Sequence, residues 1–328
     1  MSPTAKLATP LTALLGIEHP IMLAGMDMVA GPELVAAVAN AGGFGTLGGA
    51  RYTPTMLREM IADMKARLVD RNAPFGVDLL VPQVGGSARK TNYDYTKGQL
   101  EELLDIIIES KAKLFVSAVG VPPTWAVEKL HKAGILYMNM IGHPKHVHKA
   151  CQAGADIICA QGGEAGGHTG DIPTSILTPA CADIVKRGVW VGTRFTASVE
   201  SKYPESAKKQ VIDASYDSWV RSLIWSGRPL RALRTPYVDD WEANRQHEIQ
   251  DLTARGLVPL EHELDKLHRQ GKLTEEIEEQ AALRPIGIVA GSVNKPGQTA
   301  AEIVNEMVEE AAGLLGAAPG CLTSTSKL

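Results

Sequence analysis

The chain has 328 residues, too many for one small sandwich or bundle and suited to one large α/β barrel or to two ordinary domains. With 45% hydrophobic and 21% charged residues and a mean hydropathy of -0.04, it can bury a sizeable core and reads as neither disordered nor membrane-like. A net charge of -4 and 5% aromatic residues supply neither a phosphate-neutralising surface nor stacking platforms, so nucleic acid is not an expected partner.

No apolar run reaches the length of a bilayer span: the best, around Ile21 to Ala30, is broken by Gly25 and Asp27, and no membrane partner is expected. The stretch Leu11 to Ile17 is too short and too weakly apolar for a secretory signal. Cys151, Cys159, Cys181 and Cys321 form no CxxC pair and no ligand spacing, which points to a reducing compartment and to no metal site.

In chain order, short apolar segments ending in glycine alternate with segments of helical period, the pattern of parallel βα units. Strands are predicted at Pro20 to Met26, Gly43 to Gly49, Pro74 to Val81, Leu114 to Gly120, Ile135 to Gly142, Asp156 to Gly162 and Val189 to Phe195. Helices are predicted between them at Pro32 to Ala41, Thr53 to Val69, Lys97 to Lys111, Thr124 to Ala133 and Lys145 to Ala153. Beyond Ala197 the rhythm changes. Tyr237 to Arg284 is charged, helical in spacing and free of strand-like runs, and Thr299 to Leu315 returns as an apolar-faced helix. The expected fold is an α/β, TIM-type (β/α) barrel, incomplete at seven recognisable strands, with a C-terminal helical appendage.

The most informative stretch runs from Gln161 to Asp171, with five glycines and His168 in one loop at the end of a strand. Backbone N–H groups and an imidazole could there reach one ligand, and an imidazole exchanges protons near neutral pH, as general-base chemistry requires. A tight turn carrying an incidental surface histidine is the plainer alternative. Gly192 and Thr193, after the last strand, could present N–H groups and a hydroxyl to a phosphate. The Gly42 to Gly45 run precedes a strand, where a dinucleotide fingerprint would follow one, and is read as a turn. His143, His146 and His148 do not share one helical face, which speaks against a metal. Arg228, Arg231 and Arg234 could grip an anion, although a solvated or salt-bridged stripe is the commoner outcome.

Pro20 to Met26, Asn40 to Gly45, Phe75 to Leu79, the His168 loop, Trp190 to Phe195, Gly227 to Arg231 and Thr235 to Val238 together resemble the nitronate monooxygenase family, formerly called 2-nitropropane dioxygenases, and most closely its fungal branch. Bacterial enoyl-carrier-protein reductases share the general plan. The resemblance implies non-covalent FMN and oxidation of alkyl nitronates or nitroalkanes by O2 to carbonyl compounds and nitrite. It implies His168 as the base, Gly25 and Met26 along the flavin ring, Asp78 and Gln161 at its polar edge, Gly166 and Gly167 beside the ribityl chain or ring, and Gly192 and Thr193 at the phosphate. It divides the chain into a flavin-binding barrel over 1–235 and, over 236–328, a helical extension, returning helix and targeting tail.

The family pattern carries one more βα unit before Val189, absent here because Lys186-Arg187-Gly188 runs straight into that strand. Either the barrel is left short and binds FMN weakly, or its sixth and last strands pair directly. A flavin-depleted pseudoenzyme or binding protein, and an NAD(P)H-dependent flavin reductase, remain as alternative functions. Ser326-Lys327-Leu328 matches the peroxisomal address tripeptide, so the import receptor is an expected partner and the peroxisome the expected location, with the cytoplasm the alternative if the signal is not read.

Overall fold

Apolar side chains alternating with period two build a barrel wall that is apolar on both faces. The structure is a computed structural model that describes residues 7–84, 88–182 and 189–317. The junction at Arg187-Gly188 and the terminal Ser326-Lys327-Leu328 lie outside the described residues.

After α1 (Pro10–Leu15) come β1 (Ile21–Leu23), α2 (Pro32–Asn40), β2 (Gly45–Gly49), α3 (Pro54–Arg67), β3 (Phe75–Leu80), α4 (Leu100–Glu109), β4 (Leu114–Ala118), α5 (Thr124–Lys132), β5 (Leu136–Ile141), α6 (His146–Gln152) and β6 (Ile157–Ala160). A two-residue strand β7 (Gly167–His168) precedes α7 (Thr174–Ala182), β8 (Val189–Val191) and the short α8 (Thr193–Thr196). The remainder holds α9 (Glu205–Ile212), β9 (Trp219–Ser222), β10 (Leu230–Leu233), α10 (Pro236–Asn244), α11 (Gln246–Ala254), α12 (Pro259–Arg269), α13 (Glu275–Ala281) and α14 (Ala300–Ala317).

All seven predicted barrel strands form, with shorter ends. The seventh stops at Val191 rather than Phe195, because Gly192 turns the backbone to φ -113° and ψ -83° and starts α8. Five strands pair in parallel in the order β2-β3-β4-β5-β6, and β1 pairs in parallel with β8. A parallel bridge from Met22 to Phe44 joins the two sets, giving a wall in the order β8-β1-β2-β3-β4-β5-β6. Among the described residues β6 and β8 are not hydrogen-bonded neighbours, so the alternative in which the sixth and last strands pair directly is not the one found; Trp190 of β8 packs instead against the inner cluster that holds Ile157 and Cys159 of β6.

Inside the wall, Met22, Phe44, Leu114, Val116, Met138 and Ile157 pack on Leu11 and Leu15 of α1, which plugs the N-terminal end. That helix is held by a reciprocal cap between Thr9 and Thr12 and is stopped at Gly16. Outside, Leu23, Leu47, Val77, Phe115 and Tyr137 pack under the helices. Ile303, Val304 and Val308 of α14 join that same outer layer, so the last helix returns to the barrel.

A second, antiparallel sheet in the order β7-β10-β9 was not foreseen from sequence. It pairs His168 with Leu230 and Gly167 with Arg231. Helices α10 to α13 enclose its outer side, with Trp241, Ile249, Leu252 and Leu260 packed on Val220 and Ile224.

Candidate functional site

Parallel strands direct their carboxyl ends to one face, and the loops carrying the predicted residues gather there. Strand register places Gly48, Asp78, Val116 and Met138 in one row across the wall. Asp78 therefore points inward, is buried, and has no partner for its Oδ1. Burial in this apolar setting pushes its carboxyl well above the usual carboxylate range, favouring the protonated form. A side chain at residue 25 would collide with the Asp78 carboxyl, which is why glycine is needed there: the backbone after β1 lies directly on that carboxyl.

Met26 continues from this point, with its sulfur accepting from Thr196 Oγ1 at 3.8 Å and packed, with the Ala24 methyl, beside Gly192. Thr193 Oγ1 accepts from the Gly287 amide at 3.0 Å, and the Ile288 amide donates to the Glu164 carbonyl at 2.9 Å. The 286–288 segment thus ties the loop after β8 to the His168 loop, and a side chain at residue 166 would strike it. Gly25, Met26, Asp78, Gly192 and Thr193 form one group, and Gln161, Gly166, Gly167 and His168 a second, joined through Gly287.

The His168 loop is braced from several sides. The Gln161 amide side chain donates to the Gly166 carbonyl at 3.3 Å, and Thr169 Oγ1 donates to the Gly162 carbonyl at 2.9 Å. The Glu164 carboxylate accepts from the Thr174 amide and hydroxyl at 2.8 and 2.9 Å, capping α7. Gly167 takes φ +73°, which favours glycine, where the loop turns into β7. From β10, the buried Arg231 donates to the carbonyls of Gly163 and Ala165 and lies 4.3 Å over the Trp219 ring. From β9, Arg221 pairs with Asp171 and donates to the Thr169 carbonyl at 3.3 Å.

His168 itself is half-buried, with Nε2 2.9 Å from Ser226 Oγ. Desolvation first, then the positive charges of Arg228 and Arg89, hold its imidazole down to about 4, so it is uncharged at neutral pH. Ser226, Arg221, Arg231 and Gly287 are site residues that sequence reasoning did not place. Only the Arg228, Arg231 and Arg234 spacing signalled any of them.

These residues fit a flavin. A buried carboxyl with an unpartnered oxygen suits the heteroatom edge of a planar ring, and glycine at residue 25 lets the backbone lie directly on that carboxyl. Gly192 and the Thr193 hydroxyl, at the start of α8, offer backbone N–H and O–H groups of the kind a phosphate needs.

The nitronate monooxygenase family model matches residues 8–186, more than half of the chain and including His168 but not Gly192 or Thr193. The chain is 31% identical over 295 residues to a Mycobacterium tuberculosis protein named (3aS,4S,5R,7aS)-5-hydroxy-7a-methyl-1-oxo-octahydro-1H-indene-4-carboxyl-CoA dehydrogenase, covering 82% of this chain and 76% of that one. It is 27% identical to a probable nitronate monooxygenase of Staphylococcus saprophyticus, over 71% of this chain and 80% of the relative. The solved FabK of Thermotoga maritima shares the fold with a TM-score of 0.75 at 24% identity, covering 96% of this chain and 100% of that chain. On the family match and the similarity to these enzymes, the chain belongs to the nitronate monooxygenase family.

Proposed function

We propose that the protein oxidises alkyl nitronates, and nitroalkanes once they have lost an α-proton, with O2 to carbonyl compounds and nitrite, using FMN. The observation that carries this reading is an uncharged His168, held by Ser226 in a glycine loop at the carboxyl end of the barrel. An uncharged imidazole has a lone pair free to accept the α-proton of a neutral nitroalkane, whereas a preformed nitronate needs no base. Bound FMN would supply the two-electron oxidation and pass the electrons to O2. Asp78, in its neutral form, would donate to the ring edge; Gly25 and Met26 would line its face; Gln161, Gly166 and Gly167 would flank it; Gly192 and Thr193 would meet the phosphate.

His168→Asn in FMN-reconstituted protein is the test. It should slow turnover of neutral nitroalkanes by roughly 100- to 10,000-fold while nitrite release from preformed nitronates persists. Equal losses on both substrates would remove His168 from the role of base.

A second reading is favoured by the relative named as a carboxyl-CoA dehydrogenase, which is more similar than the nitronate monooxygenase relative. The same base could take the α-proton of a CoA thioester. Flavin bleaching by acyl-CoA without nitrite chemistry would select it, and flavin-dependent NADH consumption would select the reductase instead. A purified chain that takes up no flavin would leave the pseudoenzyme.

The Ser326-Lys327-Leu328 end supports a peroxisomal location. Deleting those residues from a fluorescent fusion should turn a punctate signal diffuse; puncta that survive would refute it.

A further inference from the structure

Three arginines near the mouth of the site have no carboxylate partner among the described residues. Arg228 follows Ser226 and Gly227 in the turn between β9 and β10, so it sits two residues from the hydroxyl that holds His168. Its guanidinium makes no ion pair or hydrogen bond among the described residues, and its Nη1 is buried without a partner. Arg89 approaches the same turn, its Nη1 3.5 Å from the Gly227 carbonyl. A side chain at residue 227 would collide with Thr91, so the turn is pressed against the segment that carries Arg89. The ionisable groups facing Arg228 are the Arg89 guanidinium and the Tyr95 phenol, which burial keeps un-ionised, and Tyr95 in turn faces Arg51. Arg231 and Arg234, its companions in spacing, are both occupied: the first clamps the glycine loop, and the second pairs with Asp239 at 3.2 Å.

A partly buried guanidinium with an unmet donor, beside a second cation and an uncharged imidazole, is costly unless an anion completes it. The fork of a guanidinium matches a planar group with two oxygens sharing one negative charge.

We propose that Arg228, supported by Arg89, is the specificity-determining residue that binds a planar two-oxygen anion, a nitronate or a carboxylate, beside His168. This rests on His168 marking the reaction centre and deepens the proposed function, because it makes the anionic form of the substrate the one that the site holds best. A neutral nitroalkane gains this contact only as its α-proton leaves, so the arginine favours the ionised product of the base step.

The test titrates propanoate, as an inert carboxylate probe, into purified protein by calorimetry and measures KM for ethyl nitronate on the FMN-reconstituted enzyme. Arg228→Gln should weaken propanoate binding and raise the nitronate KM by ten- to a hundredfold, the loss expected for charge-assisted hydrogen bonds. Arg228→Lys keeps the charge without the fork and should fall between the two. It also decides the matter if the glutamine variant does not fold, since unchanged propanoate binding by a folded lysine variant would overturn the proposal. Arg228-dependent propanoate binding in a protein that releases no nitrite would uphold the anion site and remove the nitronate reading. Nitronate turnover with an unaltered KM and unaltered propanoate binding in Arg228→Gln would uphold that reading and overturn the anion site.

Discussion

His168 Nε2 and Ser226 Oγ, 58 residues apart in sequence, lie 2.9 Å from each other. The hydroxyl has a second partner in the Arg228 carbonyl at 3.5 Å. If Ser226 donates to that carbonyl, it accepts from Nε2–H and leaves the Nδ1 lone pair free, so the serine selects the tautomer. Ser226→Ala is expected to lower kcat on neutral nitroalkanes by about 3- to 10-fold, the loss of one neutral hydrogen bond, with nitronate turnover nearly unaffected. Rate measurements on paired nitroalkane and nitronate substrates check this.

The acid limb of the rate profile should lie low. Because His168 is held down to about 4, it stays an uncharged base throughout the range in which an ordinary histidine would protonate. For neutral nitroalkanes kcat/KM is therefore expected to show no His168 titration between about pH 5 and 7, whereas a limb near 6.5 would contradict the buried environment. The sign for stability is the same: the unfolded histidine takes a proton first, so this group's contribution is lost as pH falls from about 6.5 towards 4.

Asp78 works in the opposite direction. Its folded carboxyl keeps a proton that the unfolded chain releases above about pH 4, so flavin-free protein should lose stability from this group as pH rises. Asp78→Asn keeps the shape without the titration and should be more stable than the parent at pH 7, with the gap narrowing towards pH 4. Urea midpoints at several pH values measure it.

Removing the strut at Arg231 leaves the Gly163 and Ala165 carbonyls without their guanidinium donor. Arg231→Met is expected to destabilise the protein by about 2–4 kcal/mol and to lower turnover by loosening the His168 loop. Arg231→Lys should recover only part, since one ammonium does not reproduce the fork. Thermal unfolding and steady-state rates read both effects.

The lack of backbone pairing between β6 and β8 among the described residues bears on flavin content. Thr193 already accepts from the Gly287 amide, so part of the phosphate end is engaged within the chain. We expect the purified protein to carry less than one flavin per chain. Inserting a strand and helix between Arg187 and Gly188 is expected to raise that fraction. The ratio of flavin to protein absorbance decides it.

The barrel was legible because its information is local: each strand announces itself as a short apolar run, and a glycine ends or closely follows β1, β2, β4, β5, β6 and β8, though not β3. The antiparallel cap was hidden because β7 has two residues and finds its partner only at Leu230 and Arg231. His168 was marked by its glycines, whereas Ser226 carries no local mark and reaches it only through that sheet. Regular spacing of Arg228, Arg231 and Arg234 concealed three different fates, since turn, strand and strand end aim successive arginines differently.

The pairing of β1 with β8 also sets a timetable for synthesis. Ile21 meets Val189 in the finished wall, so the first strand leaves the ribosome long before the strand that covers one of its edges exists. At translation rates of about 5–20 residues per second, that edge waits roughly ten to thirty seconds. Meanwhile β2 to β6 can assemble as a nascent sheet with Leu11 and Leu15 already beneath it. The α1 plug therefore acts early, sheltering the inward apolar row while the chain that must complete the wall is still being made, and weakening it should show first as poor soluble yield.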